Sequence, residues 1–190
     1  MGSVRNGEEK VVRNKRAILF TLFGTLLLVL AACGGGAQVS PTATAELKDK
    51  EGGMVGNAQF SEDENGVNIA VTVLQGLEPG EHGIHIHEKG EITPDFEAAG
   101  KHLNPKGAEH GFENPNGPHA GDLENITVRE DGTADYSTTT DRVTLASGKE
   151  NSLLDEDGSA LVIHAKADDY RTDPSGGTGD RVAAGVIQGS

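Results

Sequence analysis

The stretch "SEDENGVNIAVTV", residues 61–73, is the strongest indication of fold class in this chain. Its second half alternates apolar with small or polar side chains, the apolar ones being Val67, Ile69, Val71 and Val73. A period of two is typical of a β-strand with one buried face. Asn65-Gly66, just before it, is a strong hairpin signal, so we expect a partner strand over residues 54–60.

Similar short runs of strand-forming residues recur along the rest of the chain. We expect further strands over residues 44–48, 82–88, 123–129, 133–140, 159–165 and 182–188, which makes about eight in all. The chain lacks a convincing amphipathic helix pattern, and its 27 glycines suit many turns. The sequence therefore predicts an all-β domain, either a sandwich or a flattened barrel.

Residues 89–122 interrupt this pattern. They are rich in Gly, Pro and Asn and carry little strand signal. A loop of more than about twenty residues without structure of its own is unusual inside a compact domain. A bound ion that orders the loop would explain its length.

The stretch "EHGIHIHEKG", residues 81–90, contains three of the chain's seven histidines. In a strand, His85 and His87 project to one side, and the isoleucines that precede each of them project to the other. In the predicted strand 159–165, His164 lies on the face opposite Leu161 and Ile163 and shares its own face with Val162, so a third imidazole can meet the first two. A cluster of nitrogen ligands suits copper or another late transition metal.

The long loop carries a second group of candidate ligands, namely His102, His110, His119 and Asp122. Imidazole nitrogen and carboxylate oxygen suit tetrahedral zinc, and four such ligands would close a structural site. Unconnected surface histidines are the alternative, and spacing alone does not assign individual histidines to separate ions. The histidine pair in one strand, the single histidine in another strand and the group in the loop together favour a metal site.

The N-terminal segment is typical of an export signal. Arg13, Lys15 and Arg16 precede an apolar run over residues 17–30, which is shorter than the roughly 20 residues of a membrane-spanning helix. The run leads to Cys33, the single cysteine, in a segment that resembles the lipobox of bacterial lipoproteins.

We therefore expect a lipoprotein signal peptide over residues 1–32, a lipidated Cys33, a flexible tether over residues 33–44 and a folded domain over residues 45–190. Two acyl chains would hold the domain at the extracytoplasmic face of a bacterial membrane. A transmembrane anchor, or an ordinary signal peptide that leaves a free thiol, is the alternative.

The chain is acidic, with a formal net charge of −14 at pH 7. Removal of residues 1–32, which carry five basic and two acidic side chains, brings the charge to about −17. This charge argues against nucleic-acid binding. With its single cysteine taken by lipid, the chain forms no internal disulfide, so stability has to come from the core and from bound metal.

Five motifs, in order along residues 45–188, resemble the copper,zinc superoxide dismutase family. They are "HGIHIHEKG", "AAGKHLNP", "HAGDLENITVREDGTA", "VIHAKADDY" and "GDRVAAGVI". The resemblance implies an eight-stranded Greek-key β-barrel or sandwich with a long metal-binding loop. It also implies copper and zinc as cofactors and a homodimer as one assembly.

Carried over position by position, the resemblance implies two ligand sets. The copper ligands would be His85, His87, His102 and His164. The zinc ligands would be His102, His110, His119 and Asp122, with His102 bridging the two metals. Asp168 would link a copper-bound to a zinc-bound histidine. Arg181 would stand beside copper and guide superoxide, and His82 would be a structural hydrogen-bonding group.

Two positions depart from the family pattern. Phe96 and Ala184 stand where the family has the two cysteines of a disulfide. Anchoring of the long loop then has to come from elsewhere, and Phe96 is a candidate apolar substitute. The segment before Arg181 is also short for the charged loop of the family.

The implied function is that of a superoxide dismutase, which converts superoxide to dioxygen and hydrogen peroxide while copper cycles between Cu(II) and Cu(I) and zinc remains structural. A non-enzymatic copper- or zinc-binding lipoprotein for metal storage or delivery is the main alternative. A cell-surface adhesion sandwich with incidental histidines is a second one. Retention of all four copper ligands together with Arg181 favours the enzyme.

Overall fold

The alternating stretch of the sequence lies in strand β3, Gly66–Val73, which pairs with β2, Met54–Asp63. The computed structural model describes residues 42–190. Gly66 closes the hairpin with a φ of 124°, and a Cβ atom there would lie 2.4 Å from the carbonyl oxygen of Thr140. Only glycine fits this turn, because the backbone of the neighbouring strand fills the space of a side chain.

Nine antiparallel strands make up nearly all of the regular structure in the described residues. Besides β2 and β3 they are β1 Thr42–Lys48, β4 Gly80–His82, β5 Ile84–His87, β6 Ile126–Val128, β7 Ala134–Thr140, β8 Ser159–His164 and β9 Arg181–Gly189. The one helical segment in this part of the chain is a short 3₁₀ turn, Phe96–Ala99. The prediction of an all-β domain is confirmed.

Seven strands form one sheet in the order β5-β8-β9-β1-β2-β3-β7, and β4 pairs with β6 in a second, two-stranded sheet. The neighbours β3 and β7, like β5 and β8, are not consecutive in the chain. Such long connections between neighbouring strands are typical of a Greek-key arrangement. The large sheet curls around one apolar core to which β1, β2, β3, β5, β8 and β9 all contribute.

The strand expected over residues 82–88 is divided in two at Gly83, which raises the count from eight to nine. β4 pairs with β6 on one side of this glycine, and β5 pairs with β8 on the other. The backbone of Gly83 bonds to the end of β8 and to the segment after it, since its carbonyl accepts from His164 N at 2.8 Å and its N–H donates to the Lys166 carbonyl at 2.8 Å. The chain therefore passes from one sheet to the other at this point.

Strand β1 begins at Thr42, before the boundary at residue 45 that the sequence indicated. The predicted signal peptide, the lipidated Cys33 and the rest of the tether lie outside the described residues. Within residues 42–190 the structure contains no helix that is long and apolar enough to cross a membrane.

Candidate metal centre

Strand β5 is buried on both faces, and this is what positions its two histidines. Ile84 and Ile86 point into the main core and are 0% exposed. His85 and His87 point to the other side, where the long loop covers them almost completely. Across the sheet, His85 stands opposite Val162 of β8, the strand that ends at His164.

The long loop is joined to β5 by backbone hydrogen bonds. The N–H of Ile86 donates to the Gly121 carbonyl at 2.9 Å, and the N–H of Leu103 donates to the Ile86 carbonyl at 2.9 Å. Isolated bridges then place His102 beside His87 and Asp122 beside His85. Gly121 is needed here, because a Cβ atom would lie 2.1 Å from the Ile86 carbonyl oxygen.

Four histidines converge on one point of this covered face. They are His85, His87, His102 and His164, each at most 5% exposed, and one ring nitrogen of each lies within 4.8 Å of the others. In each ring one buried nitrogen lacks a hydrogen-bond partner among the described residues: Nδ1 of His85 and Nε2 of the other three. Buried polar atoms are rarely left unpaired, so four of them together indicate a bound cation.

The second nitrogen of each ring is fixed by a protein group, which sets the orientation of the free one. His85 Nε2 lies 2.7 Å from Asp168 Oδ2, and His102 Nδ1 lies 2.8 Å from Asp122 Oδ1. His87 Nδ1 donates to the Gly100 carbonyl at 3.1 Å. His164 Nδ1 lies within 3.3 Å of the Gly179 carbonyl and 3.1 Å of Thr178 Oγ1. Such outer partners hold imidazole ligands in a metal geometry.

Burial keeps these imidazoles neutral, as metal ligands must be. It lowers the pKa of His102 to about 4 and that of His164 to about 3. The pKa of His85 is also lowered, and that of His87 lies well below its usual value, in both cases chiefly by burial. Their free lone pairs are therefore available to a cation near neutral pH.

His102 belongs to a second cluster on its other side, with His110, His119 and Asp122. The Nδ1 atoms of the three histidines lie 2.8, 3.1 and 3.2 Å from a single carboxylate oxygen, Asp122 Oδ1. Zinc ligands at about 2.0–2.1 Å in a tetrahedron stand roughly 3.3 Å apart, so these spacings fit a tetrahedral N₃O zinc site.

Asp122 divides its two oxygens between the metal position and the backbone. Oδ2 accepts hydrogen bonds from the N–H groups of Gly111 at 2.9 Å and His119 at 3.0 Å, while Oδ1 faces the three imidazoles. Burial opposes ionisation of this carboxyl, but hydrogen bonds from the histidines outweigh it and hold the pKa of Asp122 far below its usual value. The site thus contains a permanent negative charge for a cation.

Asp168 connects the two clusters. Its Oδ2 lies 2.7 Å from His85 Nε2, and its Oδ1 lies 3.0 Å from His110 Nε2. Burial alone would lower the pKa of His110. The hydrogen bonds and negative charges of Asp122 and Asp168 outweigh burial and raise this pKa to about 9. Asp168 therefore orients one histidine of each cluster from behind.

Asn125 was given no role by the sequence. Its side chain accepts from the N–H of Asp168 at 2.8 Å and donates to the carbonyl of the same residue at 3.0 Å. Its place shortly after Asp122 set it near the loop ligands but did not indicate Asp168 as its partner. Thr178, beside His164, was missed as well.

His82 differs from the six other histidines. Its Nδ1 lies 2.7 Å from the His164 carbonyl oxygen, and its Nε2 lies 2.8 Å from that of Glu78. Neither nitrogen is free for a metal. The side chain joins β4 to the end of β8.

The four-histidine cluster opens to solvent through a cavity of about 340 Å³. It is lined by His87, His102, His164, Arg181, Lys101, Glu97 and neighbouring loop residues. A larger groove of about 560 Å³ lies on the outer face of β1, β2, β3 and β7, but no ionisable side chain lines it. The smaller cavity is therefore the route to the metal cluster.

The fold and the site together define an all-β metalloprotein with two adjacent metal positions that share one imidazole. The family profile described as copper/zinc superoxide dismutase (SODC) matches residues 54–187, and the chain belongs to this family. Membership implies copper and zinc as cofactors, and the buried donor groups fit both metals.

Relatives from several bacteria support this assignment. The chain is 44% identical to a Cu-Zn superoxide dismutase of Aquifex aeolicus over 169 residues, which covers 88% of this chain and 96% of the relative. It is 45% identical to the superoxide dismutase-like protein YojM of Bacillus subtilis over 148 residues, covering 76% and 75%. The crystal structure of a SOD-like protein from Bacillus subtilis matches with a TM-score of 0.72 at 44% identity, covering 75% of this chain and 96% of that one.

Proposed function

We propose that the chain is a superoxide dismutase that binds copper at the four-histidine cluster and zinc at the cluster around Asp122. The observation that supports this most directly is the set of four unpaired, buried imidazole nitrogens beside Arg181 at the end of an open cavity. Copper bound there would supply one-electron chemistry between Cu(II) and Cu(I).

The protein groups around the cluster have separate tasks. Arg181 places a cation at the cavity, where a small anion can reach it despite the negative net charge of the chain. His102 keeps Nδ1 on the Asp122 side, so Nε2 is the atom at which this ring can hold a proton on the other side. The second cluster is closed by four protein groups and has no place for a reacting molecule.

The test is a superoxide assay on protein loaded with copper and zinc, with both metals measured on the same sample. We expect rapid turnover from the fully loaded protein and none from protein that holds zinc alone. Full copper binding without turnover would support the alternative of metal storage or delivery. This alternative is relevant because one relative is named as superoxide dismutase-like.

Replacement of Arg181 by alanine is expected to lower the second-order rate constant for superoxide roughly tenfold while copper and zinc contents stay normal. The guanidinium contacts none of the proposed ligand nitrogens; it donates to two backbone carbonyls and faces the cavity. The rate constant of Arg181→Lys should lie between those of the unchanged protein and of Arg181→Ala, because lysine keeps the charge but not the planar guanidinium. Stopped-flow measurement of superoxide decay gives the rate constants.

The exposed Arg129, which pairs with Asp135, provides the matched control. Arg129→Ala removes the same charge away from the cavity and should leave the rate unchanged. An Arg181→Ala protein with the full rate and normal metal content would exclude the role given to Arg181.

We also propose that Cys33 carries a lipid and holds the domain at the extracytoplasmic face of a bacterial membrane. The apolar run, the lipobox-like segment and the single cysteine support this. Cys33→Ala should move the protein from the membrane fraction to the soluble fraction and remove the lipid mass from its N-terminal peptide. Membrane retention of the variant would contradict the anchor.

The homodimer stays a prediction, for which light scattering is the measurement.

A further inference from the structure

A small apolar cluster lies apart from the main core, on the same face of the sheet as the metal-site histidines. We call it the Phe96 cluster, and its buried members are Phe96, Ala99, Ala160, Val162 and Ala184. Val162 stands opposite His85, and Ala160 opposite His87, across the β5-β8 pair. Directly opposite residues of paired strands share a face, so the cluster adjoins the four-histidine group.

The 3₁₀ turn that carries Phe96 holds the guanidinium of Arg181. Nη1 donates to the Phe96 carbonyl at 2.6 Å, and Nη2 donates to the Gly100 carbonyl at 2.7 Å. Gly100 O also accepts from His87 Nδ1 at 3.1 Å. Two carbonyls at the ends of one short turn therefore orient both the arginine and one of the four histidines.

The C-terminal end of this turn is joined to the residues that directly follow β5, but its N-terminal end is not. The N–H of Lys89 donates to the Ala99 carbonyl at 3.1 Å, and the N–H of Glu88 donates to the Lys101 carbonyl at 2.9 Å. Among the described residues, 91–98 make no backbone-to-backbone hydrogen bond with a strand; their bonds of this kind stay within the turn itself. The Phe96 carbonyl is thus placed by something other than the backbone.

Phe96 is the one buried residue among residues 91–98, so its ring is the group available to hold this end. It is 6% exposed and belongs to one buried cluster with three alanines and Val162, while Ile92 of the same segment is only partly buried against this cluster. The side chain of Glu97, the other contact of the guanidinium, lies 3.4 Å away and is 75% exposed, so it constrains Arg181 weakly.

We infer that Phe96 is a positioning residue for Arg181: burial of its ring fixes the carbonyl that orients the guanidinium at the mouth of the copper site. The effect on catalysis rests on the proposed function, whereas the effect on the guanidinium does not. Loss of the ring should let residues 91–98 move and release one of the two hydrogen bonds of Arg181.

The first experiment uses metal-free protein and does not depend on activity. The side chain of Arg181 is 14% exposed, so its reaction with phenylglyoxal should be slow in the unchanged protein. Along the series Phe96→Leu, Phe96→Val and Phe96→Ala, we expect this reaction to accelerate, reaching roughly tenfold for alanine. Peptide mass spectrometry measures the rate at Arg181, with Arg142 in the same digest as the internal reference.

The second experiment uses protein loaded with copper and zinc. Phe96→Ala should lower the superoxide rate constant roughly tenfold and weaken the binding of azide, a small anion probe, by a similar factor at unchanged metal content. Phe96→Leu, which refills most of the space, should restore both quantities to near the original values.

Phe60→Leu is the control for a general loss of packing, because Phe60 is 2% exposed in the main core. It should lower the melting temperature while leaving Arg181 modification and azide affinity unchanged. If Phe96→Ala, or Phe96→Val should the alanine variant not fold, leaves the modification rate and azide affinity as they were, the inference is overturned. If the loaded parent protein shows no superoxide turnover, the proposed function fails, and the modification rate still decides the role of Phe96.

Discussion

His102→Ala is expected to remove copper, weaken zinc binding by more than about 100-fold and abolish superoxide turnover. His102 is the one residue that belongs to both clusters, with Nε2 in the four-histidine group and Nδ1 beside Asp122 Oδ1. Its loss takes one nitrogen from each metal position and opens a cavity between them. Metal analysis after dialysis, together with the superoxide assay, measures the effect.

His82→Gln is the matched control for this prediction, because His82 is buried to a similar degree but has no free nitrogen. We expect it to keep both metals and to lose only stability. A His102→Ala protein that still binds one copper and one zinc and turns over superoxide would contradict the shared role of His102.

Asp122→Asn should weaken zinc binding more than about 100-fold and lower the melting temperature of the zinc-loaded protein. Asp122 uses one oxygen for the N–H groups of Gly111 and His119 and presents the other to the three imidazoles. Asparagine has a single oxygen, so it either turns an amide N–H₂ toward the cation or leaves two buried N–H groups unpaired, at about 1–3 kcal/mol each. Zinc titration measures the affinity, and calorimetry measures the melting temperature.

Asp135→Asn makes the same change of charge on the exposed end of β7, where Asp135 pairs with Arg129. It should leave zinc affinity and melting temperature unchanged. Equal zinc affinity in Asp122→Asn and Asp135→Asn would show that the Asp122 carboxylate is not a zinc ligand.

Most of the fold could be predicted from local pattern. The strands expected over residues 54–60, 67–73 and 159–165 lie within a residue or a few of the observed β2, β3 and β8. The division of one strand at Gly83 could not be predicted, because a glycine inside a strand-like run does not by itself show a change of partner strand. It arises from the separate partners of the two halves, β6 and β8, which lie far along the chain.

The ligand types of the site could also be predicted, and the family resemblance indicated Asp168 behind them, but the other groups that orient the site could not be predicted. Spacing suggested that histidines of β5, β8 and the long loop meet, since imidazole and carboxylate groups are suitable metal ligands. It gave no sign that Asn125 would support Asp168, or that the carbonyls of Phe96 and Gly100 would hold Arg181. Backbone acceptors are present at every residue, so sequence alone does not distinguish the ones that are used.

By itself, the sequence determined the all-β class, the positions of most strands and the set of residue types that bind metal, because each follows from side-chain chemistry and local periodicity. Only the tertiary structure decided which nitrogen of each histidine is left free, which nitrogen of His102 faces each cluster, and how Arg181 is oriented. These features depend on contacts between residues as distant as Phe96 and Arg181, which meet only when the sheet curls and the long loop folds over β5.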